Sequence, residues 1–303
     1  MKPSPYGSLI VAMVTPFDDE LEVDYRAAVS LAKQLVSQGA DGILISGTTG
    51  ESPTLTVEEK IRLVSEVRQA LEPSVMVWAG ASSYDTAASV RLARAVEAAG
   101  ADGILAVTPY YNKPSQEGLY WHFRAIAEEV ALPVMLYNVP SRTAVNMLPD
   151  TVLRLTELEN VVAIKEASGI LDQTSAILKH CREDFYVYSG DDSLTLPILA
   201  LGGSGVVSVA AHLVAPDIKN MINFYAEGKI QEAREVHYKL FDLFKVLFIT
   251  TNPAPVKTAL EMAGVEVGGL RLPLYPPGPE HKQAIYKVLE QLNLQKPKTT
   301  CLP

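Results

Sequence analysis

Short apolar runs alternate along the chain with longer stretches in which apolar positions recur at three- and four-residue spacing. The runs are Leu9–Val14, Gly42–Ile45, Val75–Ala79, Gly103–Val107, Pro133–Tyr137, Val161–Ile164, Phe185–Tyr188 and Gly205–Val209. They are apolar almost throughout, the pattern of strands buried on both faces of a parallel sheet. The intervening stretches read as helices: Asp24–Gln38, Val57–Leu71, Thr86–Ala99, Gln116–Val130, Leu148–Leu155, Ile170–His180 and Ser193–Leu201. In the first, Ala27, Ala28, Leu31, Ala32 and Leu35 share a face, and in the third, Val90, Ala93 and Val96 do. The string GADGIL occurs twice, at Gly39–Leu44 and Gly100–Leu105, each time closing a helix with a glycine and opening a strand.

Eight strands alternating with helices over roughly 220 residues predict an α/β fold, a closed (β/α)8 TIM barrel. An open doubly wound sheet is the competing arrangement. It usually carries a glycine-rich dinucleotide loop after its first strand, and Val14-Thr15-Pro16-Phe17 is not one. Beyond Gly228 the strand pattern stops. Lys229–Ile249, Pro255–Ala263 and Glu280–Leu292 read as helices around the Pro/Gly-rich stretch Val267–Pro279. The expected organisation is a barrel over residues 1–228 and a small C-terminal helical region over 229–303. The polar tail Gln295–Pro303 is expected to be loose.

Composition narrows the function classes. The chain has 303 residues, 48% of them apolar, enough for a barrel-sized core and too many for a disordered chain. Lys and Arg number 26 against 35 Asp and Glu, for a net charge of −9 with no dense basic cluster, so nucleic acid is not an expected partner. No apolar stretch approaches the length of a membrane span and no secretory leader is visible. The two cysteines, Cys181 and Cys301, have neither metal-type spacing nor a disulfide framework, so a cytoplasmic setting is expected. None of the five histidines forms a close pair, and Asp191-Asp192 reads better as a helix cap than as a cation site, so no metal is expected.

In a barrel of this kind reacting groups come from the C-terminal ends of the strands. Strand six runs Val161-Val162-Ala163-Ile164-Lys165-Glu166, and period-two alternation puts Val161, Ala163 and Lys165 on one face. An amine taken out of water shifts toward its neutral form, which attacks carbonyls to give a Schiff base. A hydrated lysine at the rim is the alternative. Strand two ends in Ser46-Gly47-Thr48-Thr49-Gly50-Glu51-Ser52, either a loop aiming N–H groups and hydroxyls at an anion or an ordinary turn capped by its threonines. Strands four and five end in Thr108-Pro109-Tyr110-Tyr111 and Tyr137-Asn138-Val139-Pro140-Ser141-Arg142. These offer phenols for proton transfer and a guanidinium for a carboxylate, or else aromatic packing and a surface arginine.

Taken together and in order, Thr15-Pro16-Phe17, GTTGES, PYYNKPSQEG, YNVPSRT, IKEASG, SGDD, NPAPVK and RLP resemble the dihydrodipicolinate synthase / N-acetylneuraminate lyase family of Schiff-base aldolases, nearly end to end. The resemblance implies condensation of pyruvate with L-aspartate-4-semialdehyde on the way to lysine and diaminopimelate, without a cofactor. It implies Lys165 as the Schiff-base lysine and Thr49, Tyr111 and Tyr137 as a proton relay, with Tyr111 reaching in from a neighbouring subunit. Thr48 and the backbone around Thr49 match a pyruvate-carboxylate site. Arg142 matches the residue holding the semialdehyde's carboxylate, and Gly190 and Val207 match pocket walls. Val207 departs from the isoleucine more usual in the family. A homotetramer built as a dimer of dimers is implied. A related 2-keto-acid lyase and a binding protein without turnover are the alternatives, and the intact lysine, tyrosines, threonine and arginine argue against the second. Val57, Lys60, Tyr84 and Ala88 depart from the pattern of lysine-inhibited relatives, so weak inhibition by lysine is expected.

Overall fold

The computed structural model describes residues 1–295, so Cys301 and the tail beyond residue 295 lie outside the described residues. The eight apolar runs form eight parallel strands closed into a barrel in chain order. They are β1 (Leu9–Ala12), β2 (Gly42–Ile45), β3 (Met76–Gly80), β4 (Gly103–Val107), β5 (Val134–Asn138), β6 (Val161–Glu166), β7 (Tyr186–Ser189) and β8 (Gly205–Ser208). Pairing of Ile10 with Val207 closes β8 onto β1. The outer ring comprises α1 (Tyr25–Ser37), α2 (Val57–Ala70), α3 (Thr86–Ala98), α4 (Gln116–Ala127), the short α5 (Pro140–Thr143), α6 (Pro149–Leu155), α7 (Leu171–His180), α8 (Thr195–Ala200) and α9 (Ala211–Ala226). Three further helices follow: α10 (Ile230–Val246), α11 (Ala254–Met262) and α12 (Pro279–Gln291).

Local chemistry starts and stops these elements. Asp24, Asp85 and Ser115 accept hydrogen bonds from backbone N–H groups in the first turns of α1, α3 and α4, and Thr56 with Glu59 forms a reciprocal capping box on α2. Gly39 and Gly100 follow α1 and α3 at φ of 106° and 97°, a left-handed conformation that a Cβ would strain, as their place in GADGIL predicts. The aspartate of each repeat has its own task. Asp41 accepts from the N–H groups of Ser8 and Leu9, and Asp102 from that of Val77, so each repeat ties its strand to the start of the preceding one.

Two expectations from the pattern are corrected. The helix completing the eighth unit, α9, carries no expectation at all, because Pro216 and the non-helical Val214 (φ −136°, ψ 34°) break its first turns. On β6, Val134 pairs with Val161 but Met135 with Ala163, an irregularity that slips one residue into β6. Val161 therefore packs outward against the helices, while Val162 joins Ala163 inside the barrel. Ala163 and Lys165 keep the inward face the alternation assigns them.

The barrel interior is packed by Ile10, Leu44, Trp78, Leu105, Met135 and Tyr188 with their neighbours. Tyr6 covers its N-terminal end, edge-on to Trp78 and Tyr186. The C-terminal helices extend the outer layer, with Leu240, Phe244, Leu260, Ile285 and Leu289 in one apolar cluster with the barrel helices. At the far end of β1, the Val14 N–H donates to Nε2 of His212 at 3.0 Å, and Nδ1 of the same ring lies 2.8 Å from the Val209 carbonyl. This fixes a neutral ring with its proton on Nδ1. Burial pushes the His212 pKa down to about 4.

Because the folded pKa lies below the usual 6.5, the unfolded chain takes up a proton between pH 6.5 and 4 that folded His212 refuses. Stability therefore falls as pH falls through that window, by at most about 1.4 kcal/mol per pH unit from this group. His212→Gln, which keeps an acceptor and a donor, is expected to flatten the acid limb of urea-derived stability by about one proton. An unchanged slope would show that the ring titrates normally.

Candidate active site

Lys165 lies next to last on β6, paired with Tyr137 of β5 on one side and Tyr188 of β7 on the other. It is 5% exposed. Its Nζ stands 4.4 Å from the centroid of the Tyr137 ring. Among the described residues no carboxylate forms an ion pair with it. The next residue, Glu166, points the opposite way. It accepts from the Ser168 N–H and from the side-chain amides of Asn138 and Gln173, so it builds the wall behind β6. Alternation thus delivers a buried, unpaired amine to the interior and a hydrogen-bonded carboxylate to the exterior.

Gly190 explains how the lysine chain fits. A Cβ there would lie 2.7 Å from the Ala167 Cβ, 3.1 Å from Cγ of Lys165 and 3.2 Å from its Cε. The missing side chain is the space through which the lysine reaches the barrel mouth. Val207, on β8, belongs to the same interior cluster as Ala163, Tyr137 and Tyr188.

Next to Tyr137 opens a cavity of about 530 Å³, lined by Thr48, Tyr110, Tyr137, Val139 and Arg142 among others, with Lys165 buried behind Tyr137 and, like Thr49, Gly190 and Val207, not among the lining residues. Arg142 lies in the short helix α5, one residue before its end, and forms no ion pair among the described residues, so its guanidinium is available to an anion. The loop after β2 is built with Ser46 and Glu51 both in left-handed conformations, φ 50° and 55°. The N–H groups of Gly50, Glu51 and Ser52 turn back onto the Thr48 and Gly47 carbonyls, while those of Thr48 and Thr49 have no backbone partner among the described residues. The arrangement leaves two adjacent backbone donors, with Thr48 on the cavity wall and Thr49 buried behind it.

The same loop is gripped from outside the barrel. The Thr15 hydroxyl donates to the Gly50 carbonyl at 2.7 Å, and Asn252 Nδ2 donates to the Thr49 hydroxyl at 2.9 Å. Lys257, on α11, forms a fully buried ion pair with Glu51 at 2.8 Å and also donates to the Gly269 carbonyl. Arg271 gives its N–H to Glu51 and holds Glu59 of α2 in a two-pronged pair that keeps the Glu59 carboxyl below its usual range. Desolvation brings the Lys257 pKa down to about 8 against the opposing pull of Glu51. At neutral pH Lys257 therefore carries its proton.

The structure brings together Lys165, Tyr137, Gly190 and Val207, with Thr48 and Arg142 on the cavity wall. Thr49 is buried, but its hydrogen bond is to Asn252 and none joins it to Tyr137. Tyr111 is not in the cavity of its own chain. It is 90% exposed, at a φ of 71°, while its neighbour Tyr110 packs edge-on against Tyr84. Asp191 caps the following turn through Ser193, as its position predicts, and buried Asp192 accepts from Ser208 and from the Val209 and Ala210 N–H groups. Among the described residues no cluster of His, Cys, Asp and Glu is placed to hold a metal ion. Sequence reasoning missed Glu51, Asn252 and Lys257, whose partners lie some 200 positions away; their only signal was their place in the GTTGES and NPAPVK motifs.

The model of the dihydrodipicolinate synthetase family matches residues 5–292. A 4-hydroxy-tetrahydrodipicolinate synthase of Heliobacterium modesticaldum is 55% identical over 289 residues, which are 95% of this chain and 96% of the relative. Among solved structures, a dihydrodipicolinate synthase of Bacillus anthracis superposes with a TM-score of 0.92 at 45% identity, covering 96% of this chain and 99% of the other. One from Cyanidioschyzon merolae, solved with lysine bound, gives 0.94 at 44% identity over 96% and 99%.

Removing one member of the buried pair strands the other charge. Lys257→Met is expected to lower stability by about 3–5 kcal/mol in urea denaturation. The double variant Glu51→Gln/Lys257→Met should recover a large part of that loss. Equal losses in the single and double variants would show that the pair is not what holds the loop.

Proposed function

The chain belongs to the dihydrodipicolinate synthetase family, and on that premise we propose that its barrel mouth condenses pyruvate with L-aspartate-4-semialdehyde through a Schiff base on Lys165. The observation that supports this most directly is a primary amine buried at the C-terminal end of a barrel strand, without a counter-ion and beside a tyrosine. A structural lysine in that place would leave a desolvated charge uncompensated. A nucleophile needs that environment.

The steps follow from the groups at hand. The Lys165 amine adds to the keto carbon of pyruvate, giving a carbinolamine, and water leaves as the protonated imine forms. The imine accepts electrons, so the methyl carbon loses a proton and becomes an enamine. The enamine attacks the aldehyde, whose oxygen takes up a proton as the hydroxyl of the product. The substrate's own amine then displaces Lys165 from the imine carbon, closing the ring and freeing the enzyme. One water is released overall. The pyruvate carboxylate is held by the Thr48 hydroxyl and the unpartnered N–H groups of Thr48 and Thr49, and the semialdehyde carboxylate by Arg142. Gly190 and Val207 shape the wall against which the imine forms.

Every one of these steps moves a proton inside a space screened from water. Tyr137 is adjacent to the amine, and we assign Thr49 and Tyr111 to carry protons onward from it. Tyr111 is too exposed in its own chain for this task, so the reading includes a second copy of the chain delivering its Tyr111 to this cavity, in a dimer that pairs into a homotetramer. No helix among the described residues is long and apolar enough to cross a membrane. Action in the cytoplasm, as part of lysine and diaminopimelate synthesis, belongs to the same proposal. The barrel over residues 1–228 carries the chemistry, and the helical region after it supports the loop.

Incubation with pyruvate and borohydride is expected to leave a stable adduct on Lys165, located by peptide mass spectrometry, and Lys165→Ala should abolish it. An adduct elsewhere, or none, would remove the mechanism. Turnover with aspartate-4-semialdehyde, tested beside sialic acid and sugar-acid substrates, separates this reaction from that of other 2-keto-acid lyases. Arg142→Ala should lower kcat/KM for the semialdehyde by about 100-fold or more while leaving the pyruvate adduct in place. A second expectation concerns lysine. Val57, Lys60, Tyr84 and Ala88 all line the cavity, and the half-buried amine of Lys60, when protonated, repels a cationic effector. Strong inhibition in a titration at micromolar lysine would contradict this.

A further inference from the structure

Asn252 lies in the turn before α11, outside the barrel strands, and is buried. Its Nδ2 donates to the Thr49 hydroxyl across 203 positions of sequence. Its Oδ1 is buried and has no hydrogen-bond partner among the described residues. A buried unpartnered acceptor is destabilising, so packing stability is a poor reason for an asparagine here. The Thr49 contact is the one hydrogen bond its side chain makes among the described residues.

A threonine hydroxyl has one proton to give and two lone pairs to receive. Left alone in a loop, it bonds back to a nearby carbonyl of its own backbone. The Asn252 amide N–H occupies one lone pair. The hydroxyl then keeps one proton and one lone pair, the complement needed to pass a proton from one phenol to another. The neighbouring residues are pinned as well: Gly50 by Thr15, and Glu51 by Lys257 five residues beyond Asn252.

We propose that Asn252 is a positioning residue that orients the Thr49 hydroxyl for proton transfer, so that the C-terminal helical region sets the direction of the relay inside the barrel. This rests on Thr49 being a relay member, as argued above. Asn252 itself touches no substrate in this scheme.

The test is a double-mutant cycle on the full chain with steady-state kinetics and borohydride trapping. Thr49→Val should lower kcat sharply. Asn252→Ala should lower kcat by about 10- to 100-fold, with the pyruvate KM within about twofold of wild type and the Lys165 adduct still formed. The double variant should be no slower than Thr49→Val alone, because Asn252 acts only through that hydroxyl. Asn252→Asp, close in volume but able to donate only when protonated, should retain more activity at acid than at neutral pH. Additive losses in the cycle, full activity of Asn252→Ala, or an unchanged pH profile in Asn252→Asp would each overturn the proposal. If Thr49→Val turns over normally, the relay reading fails first and this proposal falls with it.

Discussion

A single desolvated amine is the constraint around which this molecule is arranged. Lys165 sits where the barrel interior is otherwise aliphatic and aromatic, and nothing negative offsets it. Such a group is tolerable only if the surrounding architecture is stable enough to hold it and shaped to use it. The closed sheet supplies the first condition, because every strand is paired on both sides and no edge is free to relax. Gly190 and Ala163 supply the second by leaving room for a four-carbon stem to reach the mouth.

The charges around the cavity are distributed in a way that fits this constraint. Negative groups are present in number, since the chain is acidic overall, but those near the mouth are engaged elsewhere. Glu166 faces outward into a cage of amides, Glu51 is consumed by Lys257, Glu59 by Arg271, and Asp192 by the turn after β8. The cationic side chains Lys60 and Arg142 on the cavity wall, and Lys165 beside Tyr137, have no ion-pair partner among the described residues. An anionic substrate meets a site whose compensating charges have already been taken away.

The helices after the barrel are part of this arrangement. Three of their polar side chains, Asn252, Lys257 and Arg271, converge on the segment from Thr49 to Glu59 and hold a loop whose backbone is twice left-handed. A loop in that conformation needs external restraint. The restraint comes from residues remote in sequence, which makes the C-terminal region a working component of the mouth.

The sequence by itself determined the barrel, because a strand buried on both faces must be apolar at every position and a covering helix on one stripe, and those two periods can be read without coordinates. It also put Ala163 and Lys165 on one face, which survives the irregularity at Val162, and it marked the motifs whose order carries the family, while the choice between a buried and a rim lysine was left to the fold. Its failures have physical causes. Pro216 hid α9 by breaking the helical pattern locally, and the irregularity in β6 turned Val161 to the face opposite the one strict alternation assigns. The exposure of Tyr111 agrees with its expected reach into a neighbouring copy. Only the tertiary structure decided which carboxylates are neutralised and that Thr49 answers to Asn252. Each of these depends on contacts between residues far apart in the chain, and a one-dimensional pattern holds no record of the distance between them.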